Sequence, residues 1–433
     1  MFVARSAARV RLARLAFLVL GLAPAAGLVA WAIHRRSDAH RAAVERRWQE
    51  AIGLPLVVGA VEHPRPGVVR GRECRLPAGD GRPPIEVPLV ELESSADEDR
   101  IRVPSFTCDA AAAAVIVALA REWLGDEVRF RRTCIVEVAD FTWSGPAPPA
   151  ADGLPPPPEP LRIECVARPG TRALRLVRQT AAATDEVRIV RGPRGGADAA
   201  APGDAEPGAA TITVTANCQS PLPLVALVVA AGGGADSTVA CGSARVTGTL
   251  DASLGASGWS GSARGRIDGI DLATVAQAVG GRAGGAATVE VTRLDWREGR
   301  IAAALLECAA GPGAIDGRLF DRIVLALAAR PGPAARPLPP GGERSFDAAA
   351  CLVAVGPHGV QVMPSTRLPA GLAEDRGELL LAAPEAAAPA DRVAWMLSSP
   401  GTAYAPAAGP GSWLISVLPD GTSPQPAAGG RQF

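Results

Sequence analysis

The 433-residue sequence predicts a mainly β protein on a single N-terminal transmembrane helix, with an elongated antiparallel sheet of short strands and a few short α-helices. Three observations lead there. Residues 15–33 are one uncharged, mostly apolar stretch, and about 20 apolar residues in a helix cross the hydrocarbon core of a bilayer. Many short segments beyond it alternate apolar and polar residues with the period of two that sends successive side chains to opposite faces of a sheet. Clusters of Gly, Pro and Ala punctuate those segments where turns and loops are needed.

Taken in order, Arg5, Arg9, Arg11 and Arg14 precede the apolar stretch with no acidic residue among them. That is the positive-inside pattern. It places residues 1–14 in the cytoplasm, 15–33 in the membrane as a single pass, and the bulk of the chain on the far side. A cleaved signal peptide is the competing reading, because Ala23-Pro24-Ala25 offers a small-x-small site. The run continues through Leu28, Val29, Trp31 and Ile33, which a cleaved peptide does not need, so the uncleaved anchor is preferred. Ser37 is placed to cap a juxtamembrane helix over 37–51. Arg41 and Glu45 stand there at the supporting i,i+4 spacing, and Val44 and Trp48 share a face. Gly53 ends it.

The segment 53–144 reads as an N-terminal β-rich part, with a strand over 54–61, a turn over 63–67 and a second strand over 68–74. Its one helix spans 109–123 with Asp109 as cap. A Pro-rich linker follows over 145–160. Residues 161–330 read as the main β-rich unit. In 211–216, Ile212, Val214 and Ala216 face away from three threonines; 172–178 and 186–191 set arginines against apolar residues. The segment 287–293 turns at Arg297-Glu298-Gly299 into 300–308, a hairpin. Helices are expected from Asp271 to about 279 and over 317–329. Spacers lie at 192–208 and 331–344, a C-terminal β-rich segment at 345–404, and a mostly disordered tail at 405–433 with a strand over 413–418.

Composition excludes several functions. The 44 basic residues, all arginine, balance 44 acidic ones, so no global field draws in nucleic acid. The scarcity of Tyr and Asn beside abundant Ala, Gly, Pro and Arg follows GC-rich codon usage and carries no functional signal. Eight cysteines (74, 108, 134, 165, 218, 241, 308 and 351) are spread singly without a C-x-x-C pair, which argues against structural zinc. An even count in an exported chain permits disulfides. Most of these cysteines sit in strand-like runs, so buried thiols are the preferred reading and no pairing is assignable. The four histidines, His34, His40, His63 and His358, have no nucleophilic partner nearby in sequence. G-x-S-x-G, H-E-x-x-H, EF-hand and P-loop patterns are missing. Asp268 and Asp271 are the best local carboxylate pair, and are read as a strand-end turn and a helix cap. The expectation is a protein without catalytic residues, cofactor or metal.

Two stretches together resemble the AsmA-like family of membrane-anchored periplasmic proteins, which is related to the bridge-like lipid transfer proteins. The first is the order anchor, short helix, then Gly53-Leu-Pro-Leu-Val-Val-Gly59 and the Pro-Gly turn at Pro66-Gly67. The second runs from Gly248 to Leu319. It includes Gly258-Trp-Ser-Gly261, Gly265-Arg-Ile-Asp268 leading into a helix, and the Trp296-Arg-Glu-Gly299 hairpin. The resemblance implies a curved, β-taco-like sheet whose inner face is apolar and holds acyl chains, with no catalytic residues. Alternation supplies the candidates for that face: Ile163, Leu174, Leu176, Ile212, Val214, Val289, Val291 and Leu306, with Cys165 and Cys308 beside them. Covered by a second layer they are an ordinary core; left in an open groove they contact lipid. The function expected is non-enzymatic, in outer-membrane biogenesis or lipid handling. The partners expected are the inner membrane, phospholipid or another acyl lipid, and another envelope protein. The alternative is an accessory of a secretion or pilus machine that binds no lipid. With strands about 4.8 Å apart, a continuous envelope-spanning bridge needs more of them than this chain provides.

Overall fold

The computed structural model describes residues 7–52, 56–76, 84–125, 132–144, 159–181, 183–193, 210–224, 243–339, 341–398 and 416–418. The chain divides into two compact units, residues 1–106 with 126–138, and residues 107–125 with 139–433.

The first unit begins with one continuous helix: α-helical over Ala7–Phe17, π-helical over Leu18–Leu22 and α-helical again over Ala23–Arg35. Pro24 explains the π turn. It has no N–H for the carbonyl of Leu20, and a local i to i−5 pattern, with the Ala23 N–H bonded to the Leu18 oxygen, absorbs the break. Within this helix Arg14–Arg35 is long and apolar enough to cross a membrane, and none of it is buried. Ser37 Oγ then accepts the His40 N–H at 3.3 Å and starts the helix Asp38–Ile52. Trp48 is the docking residue of that helix. It is 2% exposed and lies where any side chain on Gly71 would meet its ring. Glu45 Oε1 accepts the Val58 N–H at 2.6 Å.

Four antiparallel strands follow as a meander: β1 (Ala60–Arg65), β2 (Val68–Leu76), β3 (Ile85–Ser94) and β4 (Glu98–Cys108). The strand expected over 54–61 therefore starts later and runs into the expected turn. Val57 makes only an isolated bridge to Arg75. The ladder loses its regular register between Glu62 and Arg65, where Pro64 has no N–H to donate, and the turn closes at Gly67 with φ +81°. After β4 comes the helix Ala110–Gly125, with Ala112 N–H bonded to Asp109 Oδ1 at 2.7 Å as expected, and then β5 (Thr133–Trp143).

The second unit is built on a long antiparallel ladder. Its strands are β6 (Glu159–Arg168), β7 (Thr171–Gln179), β8 (Thr184–Pro193), β9 (Ala210–Pro223), β10 (Arg245–Gly255) and β11 (Gly258–Asp271). After the two-residue β12 (Ala283–Gly284), it continues with β13 (Ala286–Arg297) and β14 (Arg300–Ala310). Neighbours in sequence pair from β6 to β11, β11 pairs with β13, and β13 with β14. The β13–β14 turn is the one the sequence predicts: Glu298 and Gly299 hold φ of 53° and 78°, as a type I′ hairpin requires. Asp271 caps the helix Leu272–Ala278, and Asp316 caps the helix Gly317–Leu327. Asp268 lies inside β11 rather than in a strand-end turn.

The remaining strands are β15 (Gly313–Asp316), β16 (Arg330–Pro331), β17 (Glu343–Phe346), β18 (Ala348–Gly356), β19 (Gly359–Pro364), β20 (Ala373–Asp375) and β21 (Glu378–Ala382). β14 pairs with β18 and β18 with β19, while β12, β15 and β17 form a separate small sheet. A core of Phe320, Leu327, Phe346, Val360, Val362, Leu380 and Val393 fills this end. The 331–344 spacer is not a free linker. Gly332 and Ala334 N–H groups bond to Leu380 and Leu379 carbonyls, and β17 begins inside it. In the C-terminal tail, Ser416 and Val417 are helical instead of extended, and Leu418 is 3% exposed within that core. The rest of 405–433, most of 145–160 and of 192–208, and Cys241 lie outside the described residues.

Candidate functional site

Residues directly opposite each other on paired strands point to the same face of a sheet. That rule traces the candidate face across the second unit. One row runs Ile163, Leu176, Val187, Ala216, Leu250, Ala263, Leu294 and Ala304. The next runs Cys165, Leu174, Ile189, Val214, Ala252, Gly261 and Trp296, and Ile212 stands opposite Leu254 on the same side. Two further rows join Gly248, Gly265, Val291, Leu306 and Val353, and Val246, Ile267, Val289, Cys308 and Cys351. The eight residues nominated from alternation thus share one face. Leu174 is buried, and the other seven are half-buried. Val187, Ile189, Leu250 and Leu294 belong to the face too; the same count by two would have found the first three, whereas Leu294 joins it only through the register shift on β13 after Val291.

The opposite face is mostly polar, with apolar residues such as Val166, Val177 and Val190 among its charges. There Arg175 bridges Glu164 and Glu186 at 3.6 and 2.8 Å, and Arg266 pairs with Asp268 at 2.7 Å. These partly exposed pairs add little to the stability of the sheet, because water screens them. They mark which side meets water.

Not every arginine obeys the expected division. Arg172 and Arg178 share the apolar face with Leu174 and Leu176, because all four stand at even positions of β7; Arg191 likewise follows Val187 and Ile189 on β8. Each is held by partners. Arg172, 5% exposed, donates to the Trp123 carbonyl at 2.8 Å, and Arg191 donates to the Leu124 and Gly125 carbonyls at 2.6 and 3.0 Å. Those are the last carbonyls of the Ala110–Gly125 helix, which have no donor within the helix. The two arginines therefore fix that helix end to this margin of the face. At the opposite margin Arg178 meets Asp185 at 2.5 Å and Glu159 at 3.3 Å. The other oxygen of Asp185 accepts the Gln219 and Ser220 N–H groups at 2.7 and 2.9 Å. Between the two margins the face is apolar.

Towards β18 and β19 the same face changes character. Cys351, Val353 and Val355 are half-buried too, but they pack against the core that holds Phe320 and Leu327, so that end is covered.

Elsewhere the polar side chains are engaged in structure. Asp271 accepts from Ala273 and Thr274, and the Thr274 hydroxyl bond holds its carboxyl below the usual range. His40 Nε2 and His63 Nε2 share a hydrogen bond at 2.9 Å, and burial pushes both imidazoles below their ordinary pKa. Among the described residues no group of three or more His, Cys, Asp or Glu side chains is arranged to hold a metal.

These features define a class: a chain with an N-terminal helix apolar enough to span a membrane, followed by a β-rich part whose main sheet is apolar on one face and charged on the other. Comparison with protein-family models, with characterised proteins and with solved structures returned no match.

Proposed function

We propose that this chain is a non-enzymatic, single-pass envelope protein of the AsmA-like type, acting in outer-membrane biogenesis or lipid handling. Its N-terminus is cytoplasmic and its β-rich part periplasmic. The sheet curves so that its apolar face, from Ile163 to Leu306, contacts the acyl chains of phospholipid or another lipid. The observation that carries this reading is the shared register of the eight apolar residues, seven of them half-buried instead of sealed. Well-packed cores bury such residues almost completely.

The test is site-specific photocrosslinking in intact membranes. Leu176, Val214 and Val291 on the apolar face, and Arg175, Thr215 and Glu290 on the other, are each replaced by benzoylphenylalanine in the full-length chain. Lipid adducts at the first three positions and none at the second three are expected. Absence of lipid adducts at every position would close the face and leave the accessory-protein reading.

A further inference from the structure

We infer that Cys308 and Cys351 are the two halves of a cross-strand disulfide that staples β14 to β18. The register places them directly opposite each other. Opposed residues on antiparallel strands have Cα atoms about 4.5 or 5.5 Å apart, depending on whether the pair is hydrogen-bonded. Both spacings fall within the range a disulfide spans. The two side chains therefore lie side by side on the same face of the sheet. Both are free and half-buried in this structure. Among the described cysteines this is the one pair that the strand registers given above bring face to face; Cys165 stands opposite Leu174, Cys218 opposite Gly248 and Cys74 opposite Val87.

The oxidant is a small disulfide such as oxidised glutathione, and the thiolate is the nucleophile in exchange. One thiol of the pair loses its proton, attacks one glutathione sulfur and displaces a glutathione thiolate, leaving a mixed disulfide. The other then loses its proton, attacks the protein sulfur of that mixed disulfide and displaces the second glutathione. Two protein thiols and one glutathione disulfide become one protein disulfide and two glutathione thiols. The staple closes the base of the excursion from β14 to β18, which carries the Gly317–Leu327 helix and strands β15 to β17.

The experiment uses the full-length protein purified in detergent with its thiols reduced, then incubated with oxidised glutathione. Free thiols are trapped with iodoacetamide and the protein is digested with trypsin without reduction. Cleavage at arginine gives a peptide over 301–318 holding only Cys308 and one over 345–367 holding only Cys351. The expected product is these two peptides joined, less two hydrogens, and separated again by reductant. In C351S the 301–318 peptide is expected as a glutathione adduct, which shows that Cys308 was reached. Recovery of both wild-type peptides alkylated and unlinked, or of Cys308 joined to a different cysteine, overturns the assignment.

Discussion

Asp185 shows how much one buried side chain can decide. It is 2% exposed, receives the Arg178 guanidinium on one oxygen and two backbone N–H groups on the other, and is thereby fully engaged. Burying charges costs several kcal/mol in lost hydration, which only a complete set of partners offsets. Asp185→Ala leaves Arg178 with Glu159 and the Ser220 carbonyl and orphans two amides. It is expected to destabilise the second unit by about 3–5 kcal/mol, whereas Arg178→Met with Asp185→Leu loses less, because the two amides stay orphaned but no buried charge is left without its partner. Urea unfolding of the two variants checks this, and equal losses would show that the pair is not what matters. Only the inward parity of Arg178 was readable from the sequence. That Asp185 would stand opposite it depends on the hairpin register. A different residue-scale constraint acts at Gly248 and Gly265. These oppose each other, and a Cβ on either would run into the facing carbonyl oxygen, of Arg264 or Thr247. Gly248 also holds φ +145°, where side-chain-bearing residues are strained.

At the scale of elements, the juxtamembrane helix Asp38–Ile52 and strand β1 are joined through the His40–His63 bond. Desolvation is the first cause in both imidazoles, followed by the neighbouring His34 and Arg35 at His40 and by Arg35 and His40 at His63. For a base with a depressed folded pKa, the unfolded chain binds more protons in acid. The docking is therefore complete above the ordinary imidazole value of about 6.5 and weakens as pH falls below it. Faster amide exchange in Ala60–Arg65 at pH 5.5 than at pH 7.5, after correction for intrinsic rates, is the expected result. Loss of that difference in His40→Asn with His63→Asn would assign it to the pair, and its persistence would exclude them. The helix itself was legible, because Ser37, the i,i+4 pair and Trp48 are local signals. The start of β1 was not, because it is set by the long-range register with β2 and by Glu45 reaching Val58.

At the scale of the whole chain, the proposed topology makes a simple demand. Protease added to spheroplasts is expected to digest the periplasmic part beyond residue 34 and leave an epitope placed before Arg5 protected. Protection of the C-terminal part in intact spheroplasts, with cleavage after lysis, would reverse the orientation. The arginine asymmetry around an apolar helix carries this prediction.

The sequence by itself determined the local quantities: an apolar helix at the N-terminus, the caps at Asp109 and Asp271, the Glu298-Gly299 hairpin, and the alternation that sets the eight apolar positions apart from their neighbours within each strand. Each follows from a period or a turn chemistry that spans fewer than about ten residues. Only the tertiary structure decided which arginines lie among those apolar residues, which stretch of the face is filled by the Phe320 core, and which two of the seven described cysteines stand opposite each other. Those outcomes depend on strand register and on which segments return to cover the sheet. Such contacts link residues tens of positions apart, and no local pattern encodes them.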